Sequence, residues 1–289
     1  MCPGQSIGDG TFKPWNANGP CNFDENGINP APFAETVDYP LDGISDPSTL
    51  HACISFRKAY AETYYNTNDI IRLKKETAGT ELDFNGKEIE DSTQGPWSSN
   101  EQLRLIRGYD QTGNGNDFYW NTLSGMPIYM LANQVQVTMN DGSNAADFFG
   151  SASFYSGGAY SLNGTNGALI ARFNGQSDTA WELFRSGSKS PFRALSGSAA
   201  ALYDGVGTPT VYINNVEISA YTKGQGYTAT TGQDVVVTIE NIDWSANANW
   251  NVIAIYLLWF SDAHFSDVCI WNDTPGAGDI MKMQNAFAI

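Results

Sequence analysis

From Trp97 onward the apolar residues fall at alternate positions, in short runs broken by Gly, Asn and Ser. This is the period of half-buried β-strands. The runs predict strands over Leu103–Tyr109, Ile128–Thr138, Ala168–Phe173, Trp181–Arg185, Thr210–Ile213, Val216–Ala220, Val235–Glu240, Val252–Phe260 and Phe265–Trp271. Asn214-Asn215, between two β-branched runs, predicts a two-residue hairpin turn, because Asn tolerates positive φ. At the end of the chain Ile280, Met283 and Phe287 share one helical face, so Asp279–Phe287 predicts a short helix. Upstream of Trp97 the signals are weaker. Asp46-Pro47 reads as an N-cap with a first-turn proline, and Leu50, Cys53, Ile54, Ala61 and Tyr64 follow at helical spacing, predicting a helix over 48–65. Ile70–Lys75 reads as a strand, and the acidic stretch Glu76–Asn100 as a minor hairpin or loop.

Seven of the 12 prolines lie in the first fifty residues among Gly, Asn and Asp, so residues 1–47 read as an extended arm and 48–289 as one large β-sandwich. The chain has 289 residues, 29 of them Gly, with 13% aromatic and only 16% charged side chains. That profile fits a turn-rich all-β protein. A formal charge of −16 argues against nucleic acid and against anionic lipid as partners, since both demand a cationic footprint. The longest apolar run, Val252–Phe260, is strand length, so no membrane insertion is expected. The opening MCPGQSIGDG shows no basic, apolar leader and reads as lacking a secretory signal. The cysteines, at 2, 21, 53 and 269, read as buried or idle thiols of a chain made in a reducing compartment. With no CxxC and two histidines, no structural metal is expected.

The most informative run is Tyr109–Asn116, YDQTGNGN, directly after a predicted strand. Gly113 and Gly115 supply positive φ, and Asp110, Asn114 and Asn116 can bond their own backbone, which makes a tight turn. The same oxygens suit Ca²⁺ or sugar hydroxyls; the turn reading is preferred, and no cofactor is expected. Trp97, Tyr119 and Trp120, read in loops, are candidate platforms for sugar rings, together with Asp110, Asn114 and Asn116. Trp244, Trp250, Trp259 and Trp271 lie in or beside strands and read as core. Glu182 alternates with apolar neighbours and reads as a solvated strand position. His264, near Asp262 and Ser261, reads as a surface loop: no G-x-S-x-G elbow accompanies it.

YDQTGNGN resembles the signature of the catalytic domain of B-type α-L-arabinofuranosidases, a concanavalin-like sandwich, and of related domains in phage and bacterial surface proteins. The flanks keep that family's order: Ala59-Tyr60, then Ile71-Arg72-Leu73-Lys74, the signature, Met126-Pro127-Ile128, and Asp141-Gly142 before Phe148-Phe149-Gly150. Phe265–Phe287 is similar to the closing element of laminin-G-like domains. The resemblance implies a concanavalin/laminin-G-like antiparallel β-sandwich, a jelly roll, with an N-terminal arm and two short helices. It implies two catalytic carboxylates as well, and here the chain departs. Against the family's G-H-M-E-A-I-Y-x-G strand stands Gly167–Gly175, GALIARFNG, with Ile170 at the nucleophile position. The family's G-G-D-N turn has no counterpart in Leu257–Asp262, where Asp262 is the nearest carboxylate.

The sequence therefore predicts no catalytic residue and no enzyme. It predicts a virion or surface structural protein, most plausibly of a tailed phage, which displays a lectin-like sandwich for adhesion to a glycan or host surface; a glycoside hydrolase of the arabinofuranosidase type is the alternative. It predicts a homo-oligomer, joined to other virion or surface subunits through the arm and located on a particle or outside the cell.

Overall fold

The computed structural model describes residues 39–119, 126–148, 155–156, 162–176, 180–183, 189–246 and 263–288. Met1–Asp38 forms a separate unit, which lies outside the described residues, as do the predicted strand Val252–Phe260, Trp120, Trp250, Trp259 and Asp262. The other unit is Tyr39–Ile289. A 3₁₀ turn at Pro40–Gly43 starts it, tied down where Leu41 N–H donates to Tyr60 O, and Ser45 N–H donates to the Asp279 carboxylate at 2.8 Å.

The chain then runs β1 (Leu50–Ser55), α1 (Thr63–Asn66), β2 (Asp69–Lys75), β3 (Glu81–Asn85), α2 (Gly86–Glu90), α3 (Gln94–Ser98), β4 (Leu103–Gly108), β5 (Phe118–Tyr119), β6 (Ile128–Leu131), β7 (Val135–Gln136), β8 (Ala146–Phe148) and β9 (Tyr155–Ser156). There follow β10 (Gly167–Gly175), β11 (Ala180–Leu183), β12 (Phe192–Leu195), β13 (Thr210–Ile213), β14 (Val216–Glu217), α4 (Lys223–Thr230), β15 (Asp234–Ile242), β16 (Ala263–Trp271) and α5 (Asp279–Phe287). One antiparallel sheet follows the order β14-β13-β15-β10-β16-β8-β6-β4-β2-β3, and β11 pairs separately with β12. The architecture is an all-β sandwich. Its main core joins residues from both ends of that path: Leu73 and Leu105 share it with Phe173 and Val237.

β10 and β16 are the keystone pair. All nine residues of β10 are buried, because both of its faces are covered. Leu169, Ala171 and Phe173 point into the main core. Ala168 and Ile170 point the other way, into a second cluster with Tyr60, Trp271, Met283 and Phe287, which α5 closes. Ile170 is fully buried there, in an apolar packing site.

The helix predicted over 48–65 is not formed. Residues 50–55 make β1, paired with β16 in the register Cys53↔Cys269, and only Thr63–Asn66 is helical. Five of the six β1 residues are buried. A run covered on both faces carries no strand alternation, and its spacing imitates a helix. Asp46 therefore caps no helix; its Oδ1 accepts the N–H of Ser48 in a turn that leads into this strand.

The same register overturns the reading of the cysteines. Cys53 and Cys269, 216 residues apart, are joined by a disulfide between paired strands. The expected strand Ile128–Thr138 is broken at Asn133 and Gln134, both at positive φ, into the hairpin β6–β7. The Asn214-Asn215 turn has φ of 48° and 66°, as expected of such a hairpin. α5 covers the residues predicted for it, while two short helices were expected and five are present among the described residues. α4 escaped notice because its run KGQGYTAT holds two glycines and no apolar stripe; a Thr222–Gln225 capping box starts it. Glu182, expected to be solvated, is only 7% exposed and stands opposite Arg193 in the β11–β12 pair. His264 lies in β16, with Nδ1 2.7 Å from Thr138 O, and not in a loop.

Candidate functional site

The YDQTGNGN turn leaves β4 beside β1, and its polar groups are spent on that neighbour. Asp110 is 2% exposed. Its Oδ1 accepts the N–H groups of Cys53 and Thr112, each at 3.0 Å, and its Oδ2 accepts the Asn116 N–H at 3.2 Å. Asn114 and Asn116 donate through their amides to the carbonyls of Leu50 and His51, at 2.8 and 2.7 Å. Gln111 Oε1 accepts the Tyr60 N–H at 2.6 Å. Gly113 and Gly115, at φ of 82° and 75°, let the chain reverse, with open space on the side where a Cβ would stand. The motif is thus a clasp that holds β1 against the end of β4. Burial raises the pKa of the Asp110 carboxyl, opposed by the N–H groups it accepts.

The outer side of the clasp forms one wall of a cleft of about 310 Å³. Tyr109, Asp110, Gly113, Gly115 and Asp117 line it from the clasp; Tyr64, Thr67, Asn68 and Asp69 line it from the turn between α1 and β2. Asp117 is fixed: Oδ2 takes the Arg107 guanidinium, with Nε at 3.0 Å, and Oδ1 takes the Asp110 N–H at 2.8 Å. Arg107 in turn lies 4.7 Å over the Tyr109 ring, whose hydroxyl donates to Asp83 Oδ1 at 2.6 Å. Asp83 is held by Arg72 at 2.7 and 2.5 Å, and these partners outweigh its burial and keep its carboxyl below the usual range. Tyr64 donates its hydroxyl to Asp110 O at 2.8 Å. Asp69 differs from these neighbours. No hydrogen bond reaches its carboxylate from the described residues, and its pKa is raised, first by burial and then by the charges of Asp83 and Glu88.

No protein-family model matches the chain, and no curated protein matches it either. Three solved structures resemble it in fold. One is a mutant GH54 α-L-arabinofuranosidase soaked with 4-nitrophenyl α-L-arabinofuranoside, with 10% identity and a TM-score of 0.47, covering 86% of this chain and 64% of that one. The second is a GH54 α-L-arabinofuranosidase soaked with a cyclic sulfate inhibitor, with 11% identity, a TM-score of 0.48 and the same coverage. The third is an arabinofuranosidase complexed with arabinofuranosyl-α-1,2-xylobiose, with 12% identity and a TM-score of 0.41, covering 82% of this chain and 61% of that one. The chain therefore spans less than two thirds of the length of the structures it matches. The expectation that the chain is no enzyme is corrected here and is not kept: the structures that resemble it are all glycoside hydrolases. At this identity and these scores the likeness is one of fold, and by itself it assigns no substrate and no reaction.

Of the candidate sugar-binding residues among the described residues, Asp110 lines this cleft; Asn114 and Asn116 are turned to β1. Trp97 sits in α3, half-buried, with its ring edge-on to Phe84 at 5.5 Å and Lys75 Nζ 5.0 Å over it. Tyr119, in β5, is 36% exposed and does not line the cleft. Trp120 lies outside the described residues. Trp244 and Trp271 are fully buried, as their strand setting suggested. The sequence reading missed Asp69, Asp117, Tyr64 and Asn68. Asp117 directly follows the YDQTGNGN run, and Asn66-Thr67-Asn68 is a polar segment leading into β2 at Asp69; only the tertiary structure brings the two to one cleft. Among the described residues no group of three His, Cys, Asp or Glu side chains is placed to hold a metal ion.

Proposed function

We propose that the sandwich recognises a neutral carbohydrate in the cleft between the YDQTGNGN clasp and the turn before β2. The observation that carries this reading is Asp69: a part-buried carboxylate that no hydrogen bond from the described residues reaches, in a cleft walled by Tyr64, Tyr109 and Asn68. An ionised carboxylate accepts the O–H groups of vicinal hydroxyls, and an amide both donates and accepts. Tyrosine rings offer apolar faces to the C–H side of a sugar. The cleft's 310 Å³ is at the low end of ligand pockets, roughly 300–1,000 Å³, and suits a short glycan segment. Its acidic lining and the chain's charge of −16 disfavour an anionic glycan.

A second reading, glycan hydrolysis, is favoured by one observation. Asp69, whose pKa burial raises, shares its cleft with a second carboxylate, Asp117, and glycoside hydrolysis needs a pair of carboxylates. The clasp's resemblance to the arabinofuranosidase signature belongs to both readings. The setting we propose is the surface of a particle or cell. A disulfide between paired strands is at home in an oxidising environment, and the segment 1–38 would join the sandwich to neighbouring subunits.

Titration of the full chain with neutral arabinan, xylan and galactan oligosaccharides tests the proposal. Binding should vanish in Asp69→Asn and weaken in Asn68→Ala, and in the parent it should weaken as the pH falls through the raised pKa of the Asp69 carboxyl. No binding by any neutral oligosaccharide, or binding indifferent to Asp69→Asn, defeats it. Turnover of an aryl arabinofuranoside that Asp69→Asn abolishes selects the second reading.

A further inference from the structure

β3, β2, β4 and β5 pair in that order, and their register sets Asp83, Arg72, Arg107 and Tyr119 in one row across them. Directly paired residues share one face of a sheet, so the four side chains stand together. That face is open: Arg72, Arg107 and Tyr119 are 36%, 38% and 36% exposed. Two guanidiniums opposite each other repel, but here each has its own carboxylate, Asp83 for Arg72 and Asp117 for Arg107. The row is thereby charge-balanced and fixed. Each guanidinium spends Nε and Nη2 on its carboxylate; no described residue takes either Nη1, and neither Nη1 is buried. The row adjoins the Asp69 cleft through two residues that line it: Tyr109 donates its hydroxyl to Asp83, and Asp117 carries Arg107.

We propose that this row is an outer subsite, which holds the further units of the glycan bound in the Asp69 cleft, so that the ligand is an extended neutral oligosaccharide and not a mono- or disaccharide. The inference rests on the carbohydrate reading of the cleft and gives its ligand a length. Charges that cancel in pairs favour neither an anion nor a cation, while the two open Nη1–H groups donate to hydroxyl and ring oxygens. The carboxylates hold the guanidiniums in place before a ligand arrives, so binding costs little side-chain freedom. Tyr119 ends the row with an exposed ring, a face for the C–H side of a sugar. Three steps between neighbouring strands span about 14 Å, and the row crosses β2 about 10 Å along the strand from Asp69, which is room for several sugar rings in sequence.

Calorimetric titration of the full chain with neutral arabino-, xylo- and galacto-oligosaccharides, from the disaccharide to the hexasaccharide, tests this. Affinity should rise with length, the hexasaccharide binding at least several-fold more tightly than the disaccharide. Tyr119→Ala and Arg72→Gln, both changes of exposed side chains, should each bring the hexasaccharide down towards the affinity of the disaccharide. Equal affinity at every length, or a length dependence that both variants keep, overturns the outer subsite and leaves the cleft reading standing. No binding at any length defeats both. Affinity indifferent to length, together with self-association that Tyr119→Ala abolishes in sedimentation, assigns the face to a second copy of the chain and likewise overturns the proposal.

Discussion

Asp110 Oδ1 accepts the backbone N–H of Cys53 at 3.0 Å, so a turn residue of the signature is built into the edge of a strand 57 positions earlier. Removing that carboxylate strands the N–H groups of Cys53, Thr112 and Asn116. Asp110→Ala is expected to lose about 1–3 kcal/mol in urea unfolding. Calcium should leave the melting temperature of both proteins unchanged; a calcium-dependent rise that Asp110→Ala removes would make the clasp an ion site.

Asp267 sits fully buried in β16, with Arg57 Nε at 2.7 Å, the Tyr60 hydroxyl at 2.8 Å and Ser266 Oγ at 2.7 Å. Burial pushes its carboxyl up, but Arg57, followed by Ser266 and Arg172, outweighs burial and leaves it below the ordinary value. A lowered folded-state pKa contributes stability above the unfolded value, about 3.9, and that contribution is lost as the pH falls through the folded value. Asp267→Asn should cost about 3–5 kcal/mol near neutrality by leaving Arg57 buried and unpaired. Plotted against pH, the difference between parent and variant should shrink below the unfolded value; a constant difference refutes this assignment. Asp83 and Asp141, also lowered, keep some acid sensitivity in the variant.

Two glycines should respond differently to alanine. A Cβ on Gly167 would collide with the Trp244 indole nitrogen and with the carbonyl of Trp271, in the buried seam where that N–H donates to Trp271 O at 2.8 Å. Gly167→Ala should abolish folding or cost several kcal/mol, about what overpacking and a lost buried hydrogen bond cost together. At Gly113 nothing lies near the Cβ position and only the positive φ is strained, so Gly113→Ala should cost about 1–2 kcal/mol. Equal losses in chemical denaturation would contradict the two environments.

The Cys53–Cys269 bridge closes a 216-residue separation between buried strands. Alkylation of the denatured, unreduced chain should leave both cysteines unmodified, and labelling of either would count against the bridge. Replacing both by alanine should lower stability by about 2–4 kcal/mol relative to the oxidised parent.

Where one face of an element is wet, its residues spelled out the element. Asn214-Asn215 takes the positive φ that its type allows, and Met283 and Phe287, with the half-buried Ile280, line up one face of α5. The all-β class and the turn at 109–116 followed from sequence alone, since period and turn chemistry are local properties. Tertiary structure decided the rest. β1 is buried on both faces, so its pattern could not separate strand from helix until β16 supplied the register that also joins Cys53 to Cys269. Asp69 and Asp117 look unrelated along the chain; packing brings their two loops to one cleft, where no hydrogen bond from the described residues reaches the Asp69 carboxylate. Adjacency between distant segments is a property of packing, and sequence spacing does not encode it.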